Sequence, residues 1–232
     1  MKIGILNAGN IGGRLARAWA AAGHDLVIAK DGEGRKIAPL VSELGDRARL
    51  GTIRAAAEFG EVALFSIYWP RVDAIVSEIG DALDGKVVIE TMNPLGVTAD
   101  FAHFHDLEFM RDNSTSEDLQ QRLPRARVVK AFNLLAAPVL EAAAWASSPV
   151  QPSTFYVSDD AAAGQAARRL IGDAGFKPVN AGPLKVARQL EQVGVLLHQV
   201  ALHEYGGDAD LARLAITMIE ASPGPIARER IT

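Results

Sequence analysis

The residues best placed to do chemistry stand at the start of the chain. Lys2-Ile3-Gly4-Ile5-Leu6 breaks into Asn7-Ala8-Gly9-Asn10-Ile11-Gly12-Gly13 and passes at once into a helical pattern, Leu15-Ala16-Arg17-Ala18-Trp19. A strand that turns tightly into a helix leaves the first helical N–H groups unpaired and the positive end of the helix dipole exposed, and both favour an anion. The chemistry this suits is the holding of a diphosphate. Gly9 lets the backbone approach a phosphate, and Gly12 lets the helix pack closely on the strand. Asn7 occupies the position of the first glycine in the Gly-x-Gly-x-x-Gly pattern; Asn enters left-handed conformations more readily than most residues, so the turn is expected to survive. The bland alternative is a strand-to-helix turn with no ligand. A following strand over His24–Ala29 and an acid, Asp31, about 20 residues past the turn favour the dinucleotide reading.

Other polar residues stand where apolar runs end: Lys30 and Asp31, Ser66, Thr91 and Asn93, and Asn133. In an open α/β sheet, ligands bind outside the carboxyl ends of the strands, so these residues would share one rim. Asp31 could accept from a ribose 2′-OH and favour NAD, whereas Lys30, Arg35 and Lys36 could hold a 2′-phosphate. Arg35 and Lys36 read equally as a solvated helix face.

The elements that must carry these residues alternate. Strands are expected at Lys2–Leu6, Asp25–Ala29, Ala48–Leu50, Val62–Ser66, Lys86–Glu90, Arg127–Phe132, Ser153–Val157 and Lys177–Asn180. Helices are expected at Ile11–Ala22, Arg35–Leu44, Thr52–Phe59, Arg71–Ile79, Ser116–Leu123, Ala137–Ala146, Ala161–Ala174, Leu184–Tyr205 and Leu211–Ala221. Such alternation predicts an α/β fold, a Rossmann-type doubly wound and mostly parallel sheet with a C-terminal α/β and helical extension. Pro70 and Pro138 suit first helical turns, Ser114 with Glu117 reads as a capping box, and Gly23 as a left-handed helix end. Residues 146–152 form the best linker, which divides a dinucleotide-binding domain (1–148) from a smaller extension (149–232) able to continue the same sheet. The tail from Ser222 to Arg230 is expected to be poorly ordered unless it docks on a partner.

Composition narrows the function. The 232 residues carry a net charge of −4, which gives no support for a nucleic-acid partner. There is no cysteine, so thiolate nucleophiles, disulfides and cysteine metal sites are excluded. No apolar run is long enough to span a bilayer, and the first strand begins at residue 2, so no membrane partner and no cleavable leader are expected and a cytoplasmic protein is the simplest reading.

Taken together, Ile5-Leu6-Asn7-Ala8-Gly9-Asn10-Ile11-Gly12, Asn93-Pro94-Leu95-Gly96, Arg127-Val128-Val129-Lys130-Ala131-Phe132-Asn133 and Ala181-Gly182-Pro183-Leu184 with Ala187-Arg188 resemble the F420-dependent NADP oxidoreductase family, whose fold is related to that of pyrroline-5-carboxylate reductase. The order and spacing extend to about residue 205, and Lys-Ala-Phe-Asn is the most specific piece. The resemblance implies NADP(H) as hydride carrier, with NAD as the alternative, and F420 or another flavin as acceptor. By position it implies Gly9, Asn10, Ile11 and Gly12 at the pyrophosphate, and Lys30, Asp31 and Arg35 around the adenosine ribose. Ser66, Ile67 and Trp69 would line the cofactor's middle. Asn93 and Pro94 would border the nicotinamide, with Ala131, Phe132 and Asn133 nearby. Three positions depart from the family: Asn7 for the first glycine, Lys30-Asp31 for a polar-basic pair, and Leu134 for a small hydroxyl residue. The aromatic and His-rich segment 101–106 has no counterpart and reads as a lid or acceptor loop.

The reaction expected is hydride transfer to a small-molecule acceptor, a flavin-like ring or a small carbonyl or imine; the alternative is a non-catalytic NADP(H)-binding sensor. A flavin-like ring can take its proton from solvent, while a carbonyl or imine requires a donor. No side chain stands out as that donor. His198 and His203 lie five apart on the long helix, not on one face, and read as structural. His103 and His105 alternate on an extended segment and lack further partners for a metal. Leu190, Val193, Leu197 and Ala201 recur at helical spacing, as core or as the face of a homodimer.

Overall fold

The computed structural model describes residues 1–30, 32, 34–97, 103–207 and 214–220. In chain order these form β1 (Lys2–Ile5), α1 (Asn10–Ala21), β2 (Asp25–Ile28), α2 (Ala38–Leu44), β3 (Ala48–Leu50), α3 (Ile53–Phe59), β4 (Val62–Phe65), α4 (Val72–Ile79), β5 (Val87–Glu90), β6 (Leu95–Val97), β7 (His103–His105), α5 (Phe109–Asp112), α6 (Thr115–Arg122), β8 (Arg127–Ala131), β9 (Ser153–Val157), α7 (Ala161–Asp173), β10 (Lys177–Gly182) and α8 (Ala187–Glu204). Eight strands make one sheet in the order β10-β9-β8-β5-β4-β1-β2-β3, and β6 and β7 pair separately. From β3 to β8 this is the doubly wound dinucleotide-binding order, which reverses between β1 and β4. Neighbours run parallel except β8 and β9, which are antiparallel. The fold expected from the alternation of elements is thus the fold observed.

Side-chain alternation along each strand splits the core in two. Ile3 and Ile5, Val62 and Leu64, and Val129 and Ala131 face the layer of α1, α2 and α7. Ala63 and Phe65, Val88 and Val128 face α3, α4, α6 and the start of α8. A strand buried on both faces needs an unbroken apolar run, which is why β4 and β5 read so clearly.

Local chemistry sets the ends. Thr52 caps α3 through Ala55 N at 3.0 Å, and Asp160 caps α7 through Ala163 N at 2.7 Å. Gly23, at φ +86°, ends α1 as expected. The Ser114 hydroxyl accepts from Glu117 N (3.2 Å) and also donates to the Glu117 carboxylate (2.8 Å), so only half of the expected capping box forms. The Ser114 N–H instead donates to Asn113 Oδ1 at 2.9 Å.

Three expectations are corrected. The helix expected at Ala137–Ala146 is two short 3-10 turns, Ala137–Leu140 and Ala142–Ala144. Their bend lets Trp145 Nε1 donate to the Val139 carbonyl and its ring meet Phe176. The helix expected at Leu211–Ala221 is absent over residues 214–220, which meet the first residues of β9 and β10: Ser153 N donates to Ile216 O (2.8 Å) and Lys177 Nζ to Met218 O (3.1 Å). Its other residues, and the tail from Ser222, lie outside the described residues. The segment read as a loop is partly the β6–β7 hairpin, with Leu95 opposite His105 and Gly96 opposite Phe104.

A Cβ on Gly12 would stand 2.3 Å from the Asn7 carbonyl oxygen, whereas one on Gly13 would meet only the Leu40 side chain, at 3.6 Å. Gly12→Ala is therefore expected to cost about 1–3 kcal/mol in urea unfolding, as overpacking does. Gly13→Ala, which gains helix propensity, is expected to be neutral or stabilising by up to about 1 kcal/mol.

Candidate functional site

At the carboxyl ends of β1, β4, β5 and β8 lies a cleft of about 640 Å³. Asn7 Nδ2 donates to the Ser66 carbonyl at 3.0 Å, bridging the ends of β1 and β4 at the reversal point. This corrects the reason the turn survives without its first glycine. Among the described residues only Phe132 is a non-glycine with positive φ, so Asn7 is held by a side-chain bond and not by a left-handed backbone. Ala8 N donates to Ala29 O at 2.8 Å and fastens the turn to the end of β2. Gly9 precedes α1, whose first N–H groups have no side-chain cap. A Cβ at Gly9 would meet only the Asn7 amide, at 3.5 Å, so this side of the turn is open and fits a phosphate.

Gly9, Asn10, Ile11, Ser66, Ile67, Trp69, Asn93 and Asn133 all line the cleft. Gly12 lies beneath it as a packing glycine. Ala131 is fully buried in the sheet, and buried Pro94 uses its carbonyl to accept from Asp106 N (2.9 Å), anchoring the hairpin. Partly exposed Lys30 and exposed Arg35 stand past β2, away from this lining, and Asp31 lies outside the described residues. Leu134 lines the cleft beside Leu135 and Ala136.

The floor is a pair of amides. Asn133 Nδ2 donates to Asn93 Oδ1 (3.0 Å), and Asn93 Nδ2 donates to the Asn133 carbonyl (2.9 Å). Phe132, at φ +64°, turns back onto the face of Ala131, where its ring meets Trp19 and Phe176. That conformation costs roughly 1–2 kcal/mol in a non-glycine residue and delivers Asn133 to the cleft.

Behind the floor is a buried charge cluster. Lys130, with no exposure, donates to Glu90 (2.6 Å), the Met92 carbonyl (2.8 Å) and Thr115 Oγ1 (3.0 Å), and stands 3.0 Å from Glu191. Glu90 is satisfied on both oxygens, by Lys130 and Ser116 on one and by Met92 N on the other. Glu191 Oε1 accepts from Thr115 N and Oγ1, while Oε2 is buried with no partner. Burial works against the Lys130 charge, but the two carboxylates more than offset it and hold its pKa above the ordinary lysine value. Burial, opposed by Lys130 and reinforced by Glu90, holds the Glu191 carboxyl above the glutamate range. Lys130 belonged to the most specific motif in the sequence, but its carboxylate partners come from β5 and α8 and carried no local signal.

The far wall comes from β6, β7 and α8, through Leu95, His105, Gly194, Leu197 and His198. The His105 and His198 rings lie 5.5 Å apart between centroids. In the sequence His198 reads as structural and His105 stands beside His103, with nothing to pair the two; the cleft brings them together. Exposed His203 takes no part in the lining.

Residues 2–94 match the family described as NADP oxidoreductase, coenzyme F420-dependent. Over these residues the match agrees with the resemblance seen in the sequence. The match ends just before β6, so the far wall lies beyond it. A crystal structure of a candidate F420-dependent NADP reductase from Arthrobacter sp. FB24 superposes with TM-score 0.75 at 23% identity, over 87% of this chain and 93% of that one. A hypothetical protein from Sinorhizobium meliloti gives 0.71 at 24% identity, over 94% and 95%. A reductive aminase from Aspergillus terreus, solved with NADPH and ethyl-5-oxohexanoate, gives 0.62 at 18% identity, over 87% and 62%. Among curated proteins, the metalloreductase STEAP3 of Rattus norvegicus is 24% identical over 196 residues, 84% of this chain. The chain spans only 37% of that relative's length. No helix among the described residues is long and apolar enough to cross a membrane.

Removing the Lys130 charge leaves two buried carboxylates unpaired, so Lys130→Met is expected to cost about 3–5 kcal/mol in denaturant unfolding. Glu191, raised when folded, contributes stability that is complete below its unfolded pKa of about 4.3 and is lost as pH rises through the folded value. Glu191→Gln keeps the neutral shape, so its urea midpoint is expected to decline less over that window than the parent's.

Proposed function

We propose that the chain binds NADP(H) along the rim from the end of β2 to the Asn93–Asn133 pair and passes a hydride to a small acceptor, a flavin-like ring such as F420 or a small carbonyl or imine. The observation that carries this reading is the open turn at Gly9, with the uncapped start of α1 opening onto the cleft at the sheet's reversal point. The nicotinamide, when bound, supplies the hydride. In this reading the N–H groups of Asn10 and Ile11 hold the pyrophosphate, with Gly12 keeping the helix close. Lys30 and Arg35, with Asp31, serve the adenosine ribose. Ser66, Ile67 and Trp69 flank the middle of the coenzyme. The amides of Asn93 and Asn133, fixed by each other, border the reacting ring with Pro94 and Ala131 behind them. Positioning and exclusion of water do most of the work in such a step.

Residues 1–148 form the coenzyme-binding unit in this proposal, and 149–232 extend the sheet and supply α8. That helix buries only Ala187, Leu190, Glu191 and Ala201 and leaves Leu196 and Leu202 exposed, which suits a homodimer face.

Trp69 lines the cleft, so coenzyme binding is expected to change its fluorescence, and loss of nicotinamide absorbance with flavins, F420, ketones and imines reads turnover. Binding with no oxidation by any acceptor would mark a sensor. The double change Lys30→Ala and Arg35→Ala is expected to weaken NADPH about tenfold with little effect on NADH, the scale of one charge-assisted contact to the 2′-phosphate.

A further inference from the structure

The far wall of the cleft contains a feature that coenzyme binding does not use. His105 comes from β7 and His198 from α8, and both rings face the same cleft, 5.5 Å apart between centroids. His105 is held in place by its strand pairing with Leu95 and by the Asp106 N–H donating to the Pro94 carbonyl. Its Nδ1 is buried and has no hydrogen-bond partner among the described residues. A buried ring nitrogen without a partner is costly, and such a group calls for an explanation such as a catalytic role. The rest of the lining is amides, hydroxyls, apolar groups, Trp69 and the Tyr68 phenol. His105 and His198 are therefore the lining groups able to exchange a proton near neutral pH, and Tyr68 is the rival donor.

We propose that His105, with His198 beside it, is the proton donor to a carbonyl or neutral imine acceptor. This rests on the hydride-transfer reading above. A hydride adds to the acceptor carbon and the C=O or C=N π bond breaks. The oxygen or nitrogen takes a proton from the His105 imidazolium, which is left neutral and recovers its proton from solvent. The coenzyme is oxidised and the acceptor reduced by two electrons. Burial, and then the His198 charge, hold His105 below the ordinary imidazole value, so a proton placed there is readily given up. A flavin-like acceptor draws its proton from solvent and has no such need of His105.

The test compares the parent with His105→Gln, His105→Asn and Tyr68→Phe, each checked for a cooperative thermal transition. NADPH affinity is read by Trp fluorescence, and turnover is followed with cyclohexanone, 1-pyrroline and riboflavin. For the two His105 variants the NADPH dissociation constant is expected within about threefold of the parent, while the ratio of carbonyl or imine turnover to riboflavin turnover falls about 10²-fold, the scale of general acid catalysis. In the NADP⁺-loaded parent, the His105 ring resonance, assigned by its loss in His105→Gln, is expected to move on adding cyclohexanone. The proposal is overturned if that ratio holds within about threefold, if Tyr68→Phe alone abolishes carbonyl turnover, or if the parent reduces neither cyclohexanone nor 1-pyrroline. A parent that fails to bind NADPH sinks the coenzyme reading itself, a result distinct from all of these.

Discussion

An ammonium group with no access to water organises the carboxyl end of this sheet. Lys130 can stay charged there only because Glu90 and Glu191 surround it and because the Met92 carbonyl and the Thr115 hydroxyl take its remaining protons. Removing an ion from water costs several kcal/mol even after relaxation, and that cost is offset only where the partners are well placed. The partners lie on β5, α6 and α8, so satisfying one charge fixes the positions of three elements around β8. Two carboxylates face one ammonium, and burial, with the Glu90 charge adding to it against Lys130, holds the Glu191 pKa above its ordinary value. The same cluster brings α8 down onto the ends of the strands. Without that docking the far wall would lose Gly194, Leu197 and His198.

The cleft therefore has two origins. Its near half is built from β1, the start of α1 and the ends of β4 and β5, all within the residues that match the family. What it requires is close backbone approach, and Gly12 against the Asn7 carbonyl shows how little space is spare. The far half comes from the β6–β7 hairpin and α8, elements separate from the turn. Asn7 joins the two ideas of rigidity and substitution. The missing glycine is replaced by an amide that ties β1 to β4 through Ser66, so the turn keeps its shape by a hydrogen bond.

Much of this was legible in the sequence. All eight strands of the main sheet were expected, because runs such as Val62–Phe65 and Val87–Ile89 are apolar without interruption and lie between strong helical periods. Most of the expected site residues meet on one lining because strand ends in a parallel sheet share a rim. The hairpin was not legible: two strands of three residues are too short to show a period. Nor was the bend at Ala137–Ala144, where alanine-rich composition suggested a helix but packing of Trp145 on Phe176 selects two tight turns. Over residues 214–220 an apolar stretch with helical spacing instead bonds to Ser153 and Lys177. In each case a tertiary contact outweighed local propensity.

The histidine wall shows the same limit at the site itself. His105 and His198 lie in different elements, and although the His-rich segment around His105 stands out, nothing in the sequence pairs it with His198. Counted along α8, His198 and His203 fall on different faces, which correctly separates them from each other but says nothing about what each meets. Only the docking of α8 brings His198 to His105, and α8 docks where Glu191 meets Lys130. Glu191 precedes His198 by about two helical turns, so the buried ion pair and the cleft histidine share one rigid helix. A charge buried for the sake of packing thus also sets the position of an imidazole in the cleft. Any account of how the cleft is shaped has to include that cluster as well as the residues on its surface.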